Sequence, residues 1–262
     1  MNDALFGYTG LVGSTLLRQR AFSATYRSTT IQESRGACFD TVVCAAAPAQ
    51  KWIANQKPAE DEATIRGLIE NLSTIQCRWF VLVSTVDVFA DPVGVDEDTP
   101  VAEAKLAPYG KNRRLLERAV NDLFAECLIV RLPGLVGPGL KKNVIFDLHN
   151  NNNLGAIDSR GVFQFYPLVN LWADISTAQR AGLSCVHLTA EPMDVAGVAE
   201  NCFGKQFRNE ITVSPPRYDL QTRYGGLYQR ADGKRYQYSA REALLAIRAY
   251  AQSEPRRSEV SL

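Results

Sequence analysis

Gly7-Tyr8-Thr9-Gly10-Leu11-Val12-Gly13, entered through Ala4-Leu5-Phe6 and left through Ser14-Thr15-Leu16-Leu17-Arg18, is the stretch on which the fold turns. An apolar run into glycines at i, i+3 and i+6, followed by good helix formers, predicts a buried strand, a tight turn and a helix N-terminus. That arrangement makes an anion site. The first glycine permits the turn and the second lets a ligand approach the backbone. The third lets helix pack on strand, with its free N–H groups and dipole facing a pyrophosphate. Gly7, Thr9, Gly10, Leu11, Val12 and Gly13 are therefore candidate dinucleotide ligands, in a GxxGxxG rather than a GxGxxG spacing. Glycine-rich turns also occur where nothing binds, so the weight falls on the residues downstream.

Phe22-Ser23-Ala24-Thr25-Tyr26-Arg27 reads as a second strand, ending where a site for NAD places an acidic residue on the ribose. Arg27, Ser28 and Thr29 stand there instead, a guanidinium and two hydroxyls suited to a 2′-phosphate, which favours NADP over NAD. The next helix is almost missing. Phe39 to Pro48 is a continuous apolar run, a strand buried on both faces, whose end Ala45-Ala46-Ala47 lets a planar ligand or a tightly packed helix come close.

A helix is predicted over Asp61 to Ile75, with Ile65, Leu68, Ile69 and Leu72 on its apolar face. Arg78 to Phe89 reads as another core strand whose polar end carries Ser84, Thr85 and Asp87; in a parallel sheet that end faces the ligand. Residues 91 to 108 read as a loop. A helix opens at Tyr109-Gly110-Lys111, with Arg113 one turn beyond Tyr109 on the same face, and Cys127 to Gly134 is a further strand. This alternation is that of an α/β chain with a doubly wound parallel sheet, the Rossmann arrangement.

Lys+Arg 29 against Asp+Glu 28 leaves no net field for nucleic acid or an anionic membrane. No apolar stretch approaches the ~20 residues of a membrane span, and no cationic-then-apolar leader opens the chain, so a cytoplasmic protein is expected. Six cysteines at 38, 44, 77, 127, 185 and 202 form no CxxC pair, and buried free thiols are expected. With only His149 and His187, neither a metal site nor a histidine-based triad is expected.

Together these residues resemble the extended short-chain dehydrogenase/reductase superfamily, and within it the compact dTDP-4-dehydrorhamnose reductase-like branch. The resemblance is carried by GxxGxxG, Ala45-Ala46-Ala47, Ser84-Thr85-Val86-Asp87-Val88-Phe89 in place of STDxVF, Tyr109-Gly110-Lys111, and Arg131-Leu132-Pro133-Gly134-Leu135-Val136-Gly137-Pro138-Gly139. It covers residues 4 to about 145. It implies that Tyr109 exchanges a proton with a carbonyl or alcohol oxygen that Thr85, or else Ser84, hydrogen-bonds. A cation one turn away would bring the phenol down toward neutrality. The family motif is YxxxK, and Arg113 stands at the lysine position; Lys111 projects to nearly the opposite face. Tyr109, Arg113 and Pro133 are implied cofactor contacts.

The resemblance further implies a dinucleotide-binding domain over 1–137, with returning segments near 160–200. A small, discontinuous substrate-binding lobe and a final helix, Ser239 to Tyr250, would lie within 138–262. Asp87, Asn143 and Tyr166 are candidate substrate contacts, Lys141 and Lys142 beside Asn143 meeting a diphosphate and Tyr166 or Trp172 stacking on a base. Surface lysines that are merely solvated, and aromatics that fill core, are the plainer readings. The expected activity is NADP(H)-dependent reduction of a keto group on a nucleotide sugar by a homodimer. The alternatives are an epimerase or dehydratase holding NAD tightly, and a non-catalytic NAD(P)-binding sensor.

Overall fold

Asp3–Phe6 (β1), buried at all of its positions, begins a strand–helix alternation that runs on through α1 (Leu11–Gln19), β2 (Ala24–Tyr26), β3 (Cys38–Cys44), α2 (Lys51–Gln56), α3 (Pro58–Leu72) and β4 (Gln76–Thr85). It continues through α4 (Pro108–Leu123), β5 (Cys127–Leu132), α5 (Leu171–Arg180) and β6 (Cys185–His187). The structure is a computed structural model and describes residues 2–228 and 235–256. Its backbone divides into two units. The first comprises Met1–Asp91, Glu97–Leu132 and Leu171–His187, and the second Pro92–Asp96, Pro133–Asn170 and Leu188–Leu262.

In the first unit the strands form one parallel sheet in the order β6-β5-β4-β3-β1-β2. Side chains alternate between its faces. Ala4, Phe6, Val42, Cys44, Phe80 and Leu82 pack under Ile65, Leu68 and Leu72 of α3 and Leu116 and Val120 of α4. Phe80 stacks on Phe124 with ring centroids 4.2 Å apart. Leu5, Val43 and Val81 alternate with that set and are equally buried, as are Leu16 of α1 and Ile175 of α5. A sheet buried on both faces needs strands that read as continuous apolar runs, which is how β3 and β4 read. Each fully buried Phe or Leu contributes about 1.5–3 kcal/mol of transfer free energy.

The elements differ from the sequence expectations at their ends. The α3 helix starts at Pro58, whose fixed φ suits the first turn, with Glu60 and Asp61 facing the helix dipole; it stops at Leu72, short of Ile75. Strand β4 ends at Thr85, because the Thr85 hydroxyl accepts from the Asp87 N–H and turns the chain into a 3-10 turn, Val86–Val88. The expected loop 91–108 contains a short strand, Val93–Val95, and a 3-10 turn, Glu103–Lys105.

The second unit holds three two-stranded pieces: Met193–Asp194 with Val162–Phe163, Asp219–Leu220 with Val93–Val95, and Gly134–Val136 with Phe165–Pro167. They are tied by the buried Gln164. Its amide lies 2.8 Å from Thr189 Oγ1 and 2.7 Å from the Ala190 carbonyl, while its side-chain oxygen accepts from Leu220 N at 2.6 Å. The last helix, Ala240–Ser253, opens on a capping box between Ser239 and Glu242 and buries Ala243, Ile247 and Tyr250. The charged end of the tail, residues 257–262, lies outside the described residues.

Two glycine substitutions with opposite outcomes test this packing. A Cβ on Gly13 would lie 2.2 Å from the Gly7 carbonyl oxygen, whereas one on Gly67, inside α3, meets nothing within 4 Å. In urea unfolding, Gly13→Ala is expected to lower stability by about 1–3 kcal/mol and Gly67→Ala to raise it by about 0.4–1 kcal/mol.

Candidate active site

The strand order reverses direction between β1 and β3, and open parallel sheets bind ligands beyond the carboxyl ends of such neighbouring strands. Gly7 leaves β1 there with φ +85, its N–H bonded to the Tyr26 carbonyl at 2.7 Å. A Cβ on Gly7 would come within 2.4 Å of the Ala45 carbonyl oxygen, so the backbones of the turn and of the alanine-rich strand end touch directly. Gly10 N-caps α1 without any side-chain hydrogen bond, which leaves the first N–H groups of that helix to a ligand. Thr9 and Gly10 are exposed, Leu11, Val12 and Ala45 to Ala47 are partly so, and Arg27 and Ser28 are exposed just past β2. The structure thus gathers these candidates at the adjoining carboxyl ends of β1, β2 and β3. Pro133, by contrast, is buried where the chain leaves β5.

Tyr109 stands on the first turn of α4, its N–H held by the Asn55 side chain at 3.0 Å. Helix and strand end meet closely here: a Cβ on Gly110 would lie 2.0 Å from the Asp87 carbonyl oxygen, so only glycine lets Tyr109 sit this near Thr85. The Thr85 hydroxyl acts on the phenol to draw its pKa down, and it lies 3.5 Å from Asp87 Oδ2. Asp87 in turn meets the Lys51 ammonium at 2.7 Å. Burial pushes the phenol pKa above its ordinary value of 10, and Asp87 adds to this; Arg113, Lys51 and the Thr85 hydrogen bond act against it.

That direction corrects the expectation that a cation would bring Tyr109 toward neutrality. Arg113 is 3% exposed, and its charge is consumed by Asp61, which also accepts from Asn112 at 2.8 Å, and by the Pro48 carbonyl. Its guanidinium lies over the face of the Tyr109 ring, 4.0 Å from the centroid, and not at the phenol oxygen.

Ser84, the alternative partner for the reacting oxygen, donates instead to Glu117 at 2.6 Å. Glu117 has no exposed surface and also accepts from Arg131 Nε at 2.9 Å and Nη2 at 2.8 Å and from Arg114 at 2.9 Å. Burial alone would raise its pKa, but these hydrogen bonds and the Arg131 charge hold it below the usual carboxylate range. His187, fully buried, joins the same cluster through Arg131 at 3.3 Å.

Three further expectations are corrected. Asn143 spends its side chain capping the helix Val144–Asn150 and donating to the Leu135 carbonyl. Tyr166 has no exposed surface, and its ring packs edge-on against Tyr238, so it fills core. Trp172 packs against Arg20, 4.2 Å from the ring, and Phe22. The cysteines are free thiols, but only Cys44 is buried, with Cys38 exposed. Among the described residues no helix is long and apolar enough to cross a membrane.

Lys51, Asp61 and Glu117 received no role from sequence. Glu117 had a signal: Tyr109, Asn112, Arg113, Leu116, Glu117 and Val120 are the buried face of α4, a stripe at 3/4 spacing whose first half is polar. Lys51 and Asp61 had none, since their partners lie on other elements.

The fold is a Rossmann-type one, a six-stranded parallel sheet flanked by helices. It is similar to a dTDP-4-dehydrorhamnose reductase from Clostridium acetobutylicum, with a TM-score of 0.68 and 16% identity over 96% of this chain and 99% of that one. It is similar also to RMD from Pseudomonas aeruginosa, solved with NADPH, with a TM-score of 0.74 and 14% identity over 97% and 99%. A third likeness is to the dTDP-glucose 4,6-dehydratase DesIV from Streptomyces venezuelae, solved with NAD, with a TM-score of 0.72 and 16% identity over 97% and 98%. No family model matches the sequence, and no curated protein sequence matches it.

Removing the Glu117 charge leaves Arg131 buried without its partner, so Glu117→Gln is expected to cost about 3–5 kcal/mol in denaturant unfolding. The folded-state pKa of Glu117 lies below its unfolded value, so its contribution is complete above the ordinary carboxylate pKa and is lost as the pH falls toward the depressed value. The variant's deficit should therefore shrink on acidification.

Proposed function

We propose that the protein is an NADP(H)-dependent oxidoreductase that reduces a keto group on a nucleotide sugar. The observation that carries this reading is the start of α4, with Tyr109, set against the Thr85–Asp87 end of β4 by the close approach at Gly110, in the sheet whose β1 end forms the glycine cradle. The backbone of Gly7, Gly10 and Gly13 would hold the pyrophosphate, Arg27 and Ser28 the 2′-phosphate, and Ala45 to Ala47 the flat part of the dinucleotide. The structural likeness to RMD, solved with NADPH, supports the choice of cofactor. In this reading the second unit selects the sugar.

A bound reduced nicotinamide supplies a hydride to the carbonyl carbon. Thr85 orients the carbonyl oxygen through its hydroxyl, and the electron pair leaving the C=O bond is taken up as an O–H bond to the proton of Tyr109, which becomes phenolate. A phenol with a raised pKa enters this step fully protonated at neutral pH. An epimerase or dehydratase is less well supported, because the nearest carboxylate, Asp87, is engaged by Lys51. A sensor that binds the dinucleotide without turnover draws its support from Arg113, whose charge is spent on Asp61.

With a panel of nucleotide-linked ketosugars and NADPH, Tyr109→Phe is expected to lower turnover by about 10²–10⁴-fold while NADPH affinity stays within about twofold. Binding by the parent protein without turnover of any panel member would favour the sensor. Arg27→Ala is expected to weaken NADPH by about tenfold or more and to leave NADH unchanged, read by fluorescence titration.

A further inference from the structure

The step just described leaves a negative phenolate in a buried setting, and something must stabilise it. Arg113 draws the phenol pKa down more than Lys51 does, but it is fixed in place. Its guanidinium faces the ring rather than the phenol oxygen, and it is already committed to Asp61 and the Pro48 carbonyl. The groups whose charges act on Tyr109 are Arg113 from its own helix, Lys51 from α2 and Asp87 from the turn after β4; Thr85 adds a hydrogen bond. Asp61 of α3 acts on Arg113. The packing brings Lys51 to the phenol's side of the site: its ammonium meets Asp87 at 2.7 Å, a Cβ on Gly110 would lie 2.0 Å from the Asp87 carbonyl oxygen, and Asn55, one turn on in α2, accepts from the Tyr109 N–H at 3.0 Å. The Lys51 side chain is 45% exposed, against 3% for Arg113, and the ammonium ends a flexible stem, so it can change partners without repacking the core.

We propose that Lys51, beside the fixed guanidinium at the family's lysine position, is the mobile positioning cation of this site. It shifts from the Asp87 carboxylate toward the Tyr109 phenolate as the proton leaves. Asp87 then works in the opposite sense, holding the ammonium away while the phenol is still protonated. The inference rests on the reading of Tyr109 as the proton donor, and its test does not depend on turnover.

The test is the ionisation of Tyr109 in the unliganded protein. The chain is labelled with fluorotyrosine, which acidifies the phenol and brings its midpoint into an accessible range. Fluorine NMR follows the titration, with Tyr109→Phe identifying the signal. Lys51→Met is expected to move the Tyr109 midpoint up by about 1 pH unit, Lys51→Arg to restore it, and Asp87→Asn to move it down. In parallel, the pH at which alcohol oxidation switches on, which requires the phenolate, should rise in Lys51→Met by the same amount and be restored in Lys51→Arg. A Tyr109 midpoint or oxidation profile unchanged in Lys51→Met, or not rescued by Lys51→Arg, overturns the inference. If the parent protein shows no turnover yet the midpoint moves as stated, the electrostatic coupling stands and the assignment of Tyr109 as proton donor is what falls.

Discussion

A carboxylate without solvent contact holds the helix that carries Tyr109 against the sheet. Glu117 takes four hydrogen bonds, one from Ser84 of β4, two from Arg131 of β5 and one from Arg114 of α4 itself. Stripping water from an ion pair costs several kcal/mol per charge, and that cost is offset only when geometry and partners are complete. Here they are, and the pairing has a directional consequence that apolar packing lacks. It sets the height and rotation of α4 along two strands at once. Tyr109 lies two turns earlier on the same face, so its place beside Thr85 follows from that anchor and from the close approach that Gly110 allows.

The surroundings of the phenol are a balance of opposed charges rather than one dominant cation. Arg113 pairs with Asp61 in a buried contact on one side while still drawing the phenol pKa down, and Lys51 and Asp87 pair at a half-exposed site on the other. Burial is the largest influence on Tyr109 and keeps it protonated. A phenol held this way carries its proton at neutral pH but is a weaker acid than a free one, so the nearby cations and the growing negative charge on the substrate oxygen must draw the proton off. Replacing lysine by arginine at the family position changes the chemistry because guanidinium is broad, planar and inclined to lie on an aromatic face, where it supports the ring and not the oxygen.

The first unit is built for rigidity where a dinucleotide would lie. The turn at Gly7 and the strand end at Ala45 touch backbone to backbone, so the crevice is lined by atoms that have no rotamers to reorganise. The second unit is assembled differently, from two-stranded pieces joined by buried polar side chains such as Gln164. Asn143 and Tyr166 serve its internal structure, a cap and a core ring. Residue type alone could not distinguish those duties from contact with a substrate.

The glycine spacing, the apolar runs of β3 and β4 and the alternation of strand and helix were readable along the chain, because turns, pleats and helical faces are set by neighbours a few residues apart. The polar end of β4 was readable too, since parallel strands bring their carboxyl ends to one side, but not that Ser84 there would turn to Glu117. What the chain alone could not reveal was which charges remain available. Arg113 is separated from Asp61 by 52 residues and Lys51 from Asp87 by 36, while Ser84 finds Glu117 33 residues away. Whether a cation acts on a phenol depends on its distance, its burial and its other partners, and those are properties of the packed structure.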